Sequence, residues 1–233
     1  MEDMYQQQGS FANLTPDFIN GLAKWLNENL SKEGVVLEVM AGTGLLSERL
    51  GTKLYEEYNR ENKIIATDLN LWENQTYTSE WEKLKSDKVK WRDSIQSIID
   101  LKMGEKELEY LIMSWPPFDQ LESAFYTIKA LYDKFPKAQI IYIGTEGFYQ
   151  NLKIGTELFH EHMEDIDIDS FNELVYGNYN SLHGDIPLLS RFNSKCKELN
   201  CECKEIVDYT KQEEEYFESL NDDSNSSDDE ELK

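Results

Sequence analysis

Residues Val35 to Leu46, which read VVLEVMAGTGLL, constrain the fold of this chain more than any other stretch. An apolar, β-branched run reaches Glu38 and then opens into a loop of small residues, Ala41 to Gly44, directly before a helical pattern. Glycines accept positive φ angles, and a loop without large side chains lets a ligand approach the backbone closely. The stretch therefore predicts a nucleotide site at the carboxyl end of a parallel strand.

Strand-like and helical segments alternate along the chain after an amphipathic helix over residues 15–30. Apolar strands that need cover on both faces favour a sheet wrapped by helices. We therefore expect a single-domain α/β fold, doubly wound, with a mainly parallel seven-stranded sheet and helices on both faces. The predicted strands are 35–39, 63–66, 89–91, 108–113, 139–143, 173–179 and 201–209, and the predicted helices are 45–58, 121–135 and 156–163. Residues 187–199 keep helical spacing, but 186–192 could equally form the strand of a closing hairpin.

Length and charge set the domain prediction. The 233 residues suit one domain, with a flexible segment over 1–14, a folded domain over 15–210 and a disordered acidic tail over 211–233. The formal charge is −23, and the tail holds ten acids against two lysines. An acidic protein repels a phosphate backbone, so nucleic acid is disfavoured and the expected partner of the tail is a basic protein. Ser226 and Ser227 precede acids, which suits acid-directed kinases, although a solvated charge run is favoured.

The missing apolar segments and the three cysteines bear on the cellular compartment and on metal binding. No apolar run approaches the ~20 residues of a membrane helix, and the first residues lack the features of a signal peptide. Cys196, Cys201 and Cys203 are odd in number and crowded, which favours reduced thiols over disulfides or a metal site. We therefore expect a cytoplasmic protein without membrane contact. His160 and His162 are expected on a solvated helix face rather than at a metal.

Polar residues stand at the ends of the next three predicted strands. Asp68 follows the glycine loop by about 20 positions, where an acid can accept both hydroxyl hydrogens of a ribose. Asp93 ends the third strand and is placed to accept a hydrogen bond from an adenine amino group. The fourth strand ends at Ser114, and Trp115, Pro116, Pro117 and Phe118 then form a rigid turn with aromatic faces.

With these residues, the chain resembles the class I S-adenosylmethionine-dependent methyltransferases over roughly residues 15 to 150, with a looser fit to 209. Glu38 with the loop resembles the first motif of that family. The resemblance implies S-adenosyl-L-methionine as cofactor, with its ribose at Asp68 and its adenine at Asp93 and Ser94. The residues that the resemblance implies for the methionine portion and its surroundings are Glu38, Met40, Ala41, Gly42, Thr43, Gly44, Ser114 and Pro116.

The Ser-Trp-Pro-Pro-Phe stretch is similar to the Asp/Asn-Pro-Pro-aromatic motif of methyltransferases that modify amino groups. In that motif the first residue accepts a hydrogen from the target nitrogen. Here the position before Pro116 is Trp115, whose indole donates but does not accept, so Ser114 would have to substitute for it. Ser114 and the carbonyl at Trp115 could orient an amino group, and for an oxygen or protonated nitrogen acceptor Glu146 or His183 could serve as the base.

A second likeness lies further along the chain. IYIGTEGFYQNLKIGTELFH, with the Leu-His-Gly-Asp run at 182–185, resembles little-characterised methyltransferase-fold proteins that also carry a Ser-Trp-Pro segment. In this architecture Glu146 and Tyr149 would line an acceptor pocket, and His183 with Asp185 would reach its rim.

The sequence leaves three functions open. The first is a methyltransferase that acts on a small molecule or a protein side chain, at an amino group if the Pro-Pro motif applies. The second is a catalytically silent member of the fold that binds partners through its acidic surface and tail. A nicotinamide-dependent dehydrogenase is weaker, because position 47 is Ser47 and the spaced third glycine of that fingerprint is missing.

Overall fold

The computed structural model describes residues 10–69, 84–117, 122–145, 154–181 and 184–193. By its backbone contacts the chain divides into two units, Met1–Asn193 and Ser194–Lys233. All the elements described below belong to the first unit. The predicted strand at 201–209, the three cysteines and the acidic tail lie outside the described residues, and those expectations stay predictions.

Helices and strands alternate through the first unit. The helices are α1 (Pro16–Asn29), α2 (Leu45–Tyr58), α3 (Ser94–Met103), α4 (Ser123–Lys134), α5 (Glu157–Glu161) and α6 (Asp169–Leu174). The strands are β1 (Gly34–Val39), β2 (Ile64–Asp68), β3 (Val89–Trp91), β4 (Glu107–Ser114), β5 (Gln139–Thr145), β6 (Met163–Asp165) and β7 (Asp185–Phe192). A 3-10 turn at Tyr176–Asn178 follows α6.

The strands form one seven-stranded sheet in the order β3-β2-β1-β4-β5-β7-β6. The four pairs from β3 to β5 are parallel. Strand β7 runs antiparallel to both β5 and β6. The sheet is therefore mixed: its parallel part matches the prediction, and the antiparallel end corrects it. The ambiguous stretch at 187–199 is described up to residue 193, and there it forms strand β7 and not a helix.

Each face of the sheet carries its own apolar core. One core packs α1, α2 and α6 against the sheet through residues such as Leu22, Leu50 and Phe171. The other core packs α3, α4 and α5 against the opposite face through residues such as Ile98 and Phe125. Strands buried on both faces explain why the sequence reads as continuous apolar runs. Helices on both faces of the sheet agree with the prediction.

Local signals explain where several elements begin. Thr15 caps α1 by accepting a hydrogen bond from the Phe18 amide at 3.3 Å, and Pro16 takes the first helical position. The observed bounds of α2 and β3 equal the predicted ones. The packed region includes Ala12 and Leu14, ahead of the domain boundary predicted at residue 15.

One predicted strand is wrong and one predicted helix is too long. Residues 173–179 form the end of α6 and the 3-10 turn instead of a strand. Phe171 and Val175 stand four residues apart and are both buried in the core with α1, so tertiary packing selects the helical period. The helix predicted at 156–163 ends at Glu161, and Met163 begins β6. Among the described residues, no helix combines the length and apolar character that crossing a membrane requires.

Candidate functional site

Strands β2 and β3 lie on one side of β1, and β4 and β5 lie on its other side. The direction in which successive strands are added to the sheet therefore reverses between β1 and β4. Strand β1 pairs with β2 on one side and with β4 on the other, and the connecting helices α2 and α3 lie on opposite faces of the sheet. Ligands of open α/β sheets bind in the crevice outside the carboxyl ends of the strands at such a point. The loop after β1 lies at this place.

The loop from Met40 to Gly44 has the backbone that its glycines predict. The φ angles of Met40, Gly42 and Gly44 are 53°, 58° and 77°, all in the left-handed region. A Cβ on Gly44 would lie 2.2 Å from Cγ2 of Val89, so only glycine fits there. The Ala41 amide donates to the carbonyl of Thr67 at 3.1 Å, which ties the loop to β2. The loop is therefore a fixed turn between β1 and α2.

Asp68 lies against this loop. Its Oδ2 accepts a hydrogen bond from the amide of Gly42 at 2.8 Å, and the residue is 7% exposed. A carboxylate offers about four lone-pair sites and can accept several hydrogen bonds at once. The contact joins the loop after β1 to the end of β2. The ribose role of Asp68 stays a prediction.

Glu38 has a structural partner inside the protein. The carboxylate is buried and accepts hydrogen bonds from the amide of Ser47 at 3.0 Å and from its hydroxyl. Ser47 stands in the first turn of α2, where amides lack intrahelical acceptors. Burial raises the pKa of Glu38 to about 7, against the lowering effect of the Ser47 bonds, and nearby Asp68 raises it further. The direct role of Glu38 is thus to join β1 to the start of α2.

Asp93 and Ser94 stand at the start of α3. Asp93 Oδ1 accepts hydrogen bonds from the amides of Ile95 and Gln96, at 2.9 and 3.1 Å. Its Oδ2 makes no hydrogen bond within the described parts of the chain. The Ser94 hydroxyl is turned towards α4, where it lies 2.6 Å from the Thr127 hydroxyl. The adenine assignment of Ser94 stays a prediction.

The Ser-Trp-Pro turn follows β4. Trp115 has a left-handed φ of 53°, and its amide donates to the carbonyl of Ile143 at 2.8 Å. The carbonyl of Pro116 accepts from the amide of Gly155 at 3.0 Å. The Ser114 hydroxyl makes no hydrogen bond with the described residues. The turn is held by backbone bonds, and the proposed acceptor roles of Ser114 and Trp115 stay predictions.

A buried carboxylate next to this turn is the residue that sequence reasoning undervalued. Asp185, at the start of β7, is 1% exposed. Its Oδ2 accepts from the indole Nε1–H of Trp115 at 3.3 Å and from the hydroxyl of Tyr179. Its Oδ1 accepts from the hydroxyl of Ser181 at 2.8 Å. The sequence placed Asp185 near the rim of the site, but the contact with Trp115 spans 70 residues and leaves no local signal.

Comparison with known proteins adds little to this geometry. No protein-family model matches the chain, and the curated proteins contain no match to it. One solved structure, SMU.776, described as a candidate methyltransferase complexed with SAH, is 9% identical with a TM-score of 0.39. The alignment covers 72% of this chain and 48% of that one, so the chain spans about half of that protein. Likeness at this level supports no inference about function.

The structure brings some predicted residues together and leaves others undescribed. Gly42 and Asp68 are in direct contact, and Asp93 follows the strand beside Asp68. Glu146, His183 and Phe118 lie outside the described residues, and their assignments stay predictions. A cavity of about 290 Å³ between α2 and β2 contains Gly44 from the predicted site, but the other predicted cofactor residues do not line it. The cavity therefore does not coincide with the predicted cofactor site.

His160 on α5 and His162 just after it do not form the solvated helix face that the sequence suggested. His162 is 3% exposed, and its ring packs against Phe125 and Phe192. His160 makes a hydrogen bond through Nε2 with the carbonyl of Ile154 at 2.8 Å. Both rings therefore contribute to packing. Across the described ranges, no group of three or more His, Cys, Asp or Glu residues is placed to hold a metal ion.

Proposed function

We propose that this protein is an S-adenosylmethionine-dependent methyltransferase that acts on a small molecule or a protein side chain. The observation that carries the proposal is the contact between Gly42 and Asp68 at the point where the strand order reverses. This contact puts a carboxylate beside a left-handed glycine loop, at the edge where α/β sheets bind nucleosides.

The residues present fit an adenosyl group. The main chain of Met40 to Gly44 leaves room for close approach, because Gly42 has no side chain and Gly44 packs inward against Val89. Asp68 would accept the ribose hydroxyls. Asp93 Oδ2, which has no partner among the described residues, would accept the adenine amino group. The loop needs no phosphate cradle, and an acidic protein suits a cofactor with a positive sulfonium.

The chain's own residues would align the acceptor. When bound, S-adenosylmethionine supplies a methyl group on a positive sulfur, which leaves as a neutral thioether. Ser114 and the carbonyl of Trp115, at the end of β4, would accept hydrogens from an acceptor amino group and direct its lone pair towards the methyl carbon. Alignment of this kind contributes at most ~7–11 kcal/mol to lowering the barrier. A proton lost from the nitrogen would pass to solvent or to a nearby base.

A second function is favoured by one observation. The indole N–H of Trp115 is donated to Asp185 and an indole does not accept, so the side chain before Pro116 offers a target nitrogen no acceptor. A catalytically silent protein of this fold would keep the cofactor site and use its acidic surface to bind a basic partner.

Two measurements separate these functions. Thermal unfolding with increasing S-adenosylmethionine or its demethylated product should raise Tm with ligand concentration, as one-site binding requires. The absence of any shift at saturating ligand would refute cofactor binding in both functions. Transfer of a labelled methyl group into cell extract would then identify the enzyme, and cofactor binding without transfer would favour the silent protein. Stabilisation by a dinucleotide in place of S-adenosylmethionine would favour a dehydrogenase.

A further inference from the structure

Asp185 is a buried carboxylate that forms no ion pair with the described residues. Its two oxygens accept hydrogen bonds from Trp115, Tyr179 and Ser181, an arrangement that an ionised carboxylate satisfies because it only accepts. None of the ion pairs in the described part of the chain involves this residue. Buried charges in proteins are ordinarily paired. An uncompensated carboxylate at the edge of the sheet therefore favours a cationic ligand.

Aromatic rings surround this carboxylate. Phe11 stacks on Trp115 with ring centroids 5.8 Å apart, and Phe11 is 48% exposed. Tyr179 connects Asp185 to Asn13, because its hydroxyl donates to Asp185 and accepts a hydrogen bond from the amide of Asn13 at 3.1 Å. Ring faces attract ammonium and guanidinium groups. A carboxylate that accepts the indole N–H draws positive charge to the same place. We call Phe11, Trp115, Tyr179 and Asp185 the aromatic–acidic cluster.

The cluster lies on the same face of the sheet as the predicted acceptor residue Ser114. Side chains two apart on a strand share a face, and Ile112 and Ile143 both belong to the core with α1 and α2. Ser114 and Thr145 therefore share that face. Thr145 is directly opposite Asp185 in the β5–β7 pair, and its buried hydroxyl has no hydrogen-bond partner among the described residues. An unsatisfied hydroxyl beside an uncompensated carboxylate suits a ligand with N–H donors.

We propose that the aromatic–acidic cluster binds a cationic nitrogen group, the ammonium or guanidinium of a basic side chain on the methyl acceptor. The assignment of this ligand as the acceptor rests on the proposed methyltransferase function. The net charge of −23 favours the approach of such a partner from solution. The sequence predicted a basic partner for the acidic tail, whereas the cluster is a separate place for one, within the folded unit.

The test is a titration followed at the indole N–H of Trp115 by two-dimensional NMR. Loss of one cross-peak in Trp115→Phe assigns the signal. The probe is N-acetyl-arginine amide, and its uncharged counterpart is N-acetyl-citrulline amide, which has nearly the same shape. The arginine probe should shift the Trp115 signal with saturation, and the citrulline probe should not. Equal shifts with both probes would overturn the proposal, because they would show that the positive charge is not recognised.

Two variants test the residues. Asp185→Asn should weaken arginine binding at least about fivefold, since it removes the charge and keeps the shape. Phe11→Ala should weaken it at least about twofold and should leave folding intact, because Phe11 is half exposed. If Asp185→Asn does not fold, the Phe11 variant decides alone. Unchanged affinity in the folded variants would refute the cluster as the site.

Trp91 gives a matched internal control. It is 65% exposed on the edge strand β3, and Lys85 Nζ already lies 5.9 Å from its ring centroid. A cation should avoid this ring, so its indole signal should stay in place. Equal movement of the Trp91 and Trp115 signals would indicate unspecific attraction to an acidic protein and would overturn the proposal.

A final comparison separates the acceptor from the cofactor. If S-adenosylmethionine displaced the arginine probe and its demethylated product, which lacks the sulfonium charge, did not, the cluster would hold the sulfonium, and the proposal would be wrong. The titration itself contains no cofactor, so its outcome is independent of the melting experiment. Arginine binding in a protein that S-adenosylmethionine does not stabilise would refute the methyltransferase function and leave the cation site standing.

Discussion

Replacing Glu38 with glutamine should change the stability of the protein in a way that depends on pH. Burial raises the pKa of Glu38 from 4.5 to about 7. The folded protein therefore holds a proton that the unfolded chain releases near pH 4.5. The stabilisation from this proton is complete below about pH 4.5 and is lost as the pH rises through about 7. Glutamine is neutral at every pH and still offers an oxygen to the amide of Ser47.

A pKa raised by this amount corresponds to about 3 kcal/mol between the two protonation states. We therefore expect Glu38→Gln to match the wild-type free energy of unfolding near pH 4.5 and to exceed it by up to about 3 kcal/mol near pH 8. Urea unfolding of both proteins across this range measures the difference. Subtracting the wild-type curve removes the contribution of the other titrating groups, which the two proteins share.

The control is Glu48→Gln, which removes a charge from an exposed position in the first turn of α2, the helix that Glu38 contacts through Ser47. Its effect should stay within about 0.5 kcal/mol at every pH. If the effect of Glu38→Gln were the same at low and high pH, burial would not have raised its pKa. If the variant were less stable than wild type at high pH, the charged hydrogen bonds to Ser47 would outweigh the cost of burying the charge.

Three further changes test other parts of the structure. Asp68→Ala should weaken the binding of the demethylated cofactor product about tenfold in calorimetry with little change in the fold, and unchanged affinity would show that the ribose assignment is wrong. Gly44→Ala should lower the free energy of unfolding by about 1–3 kcal/mol, because its Cβ would clash with Val89 at a positive φ. Gly51 lies within α2, and a Cβ there would meet no other atom within 4 Å. Gly51→Ala should therefore stabilise the protein by about 0.5–1 kcal/mol. Leu50→Ala, at a fully buried position on α2, should cost about 2–5 kcal/mol in chemical unfolding, and a cost under about 1 kcal/mol would contradict the packing described for that face.

The parallel part of the fold was predictable because its signals are local. Strands such as β1 and β5 are buried on both faces and read as apolar runs. The start of α2 follows from Gly44, and α3 begins after Asp93, whose carboxylate caps it. These signals also put Asp68 next to the glycine loop, since the carboxyl ends of neighbouring parallel strands meet at one edge. Residue type and position along the chain were sufficient there.

The remainder depends on contacts between distant parts of the chain. Gly21 of α1 lies so close to α6 that a Cβ would meet the carbonyl oxygen of Leu174 at 1.8 Å. The contact is made at the end of α6, in the region 173–179 that the sequence predicted as a strand. Likewise, the indole N–H of Trp115 is donated to Asp185, yet neither residue indicates the other in the sequence.

The placement of β7 between β5 and β6 affects the order in which the protein can assemble. Strand β6 is synthesised before β7, and the partner it has in the described sheet is β7. A nascent chain that stops before Asp185 would thus expose the edge of β5, a template for pairing with other chains. Fragments truncated there should aggregate, and translation must pass beyond β7 before this edge is protected.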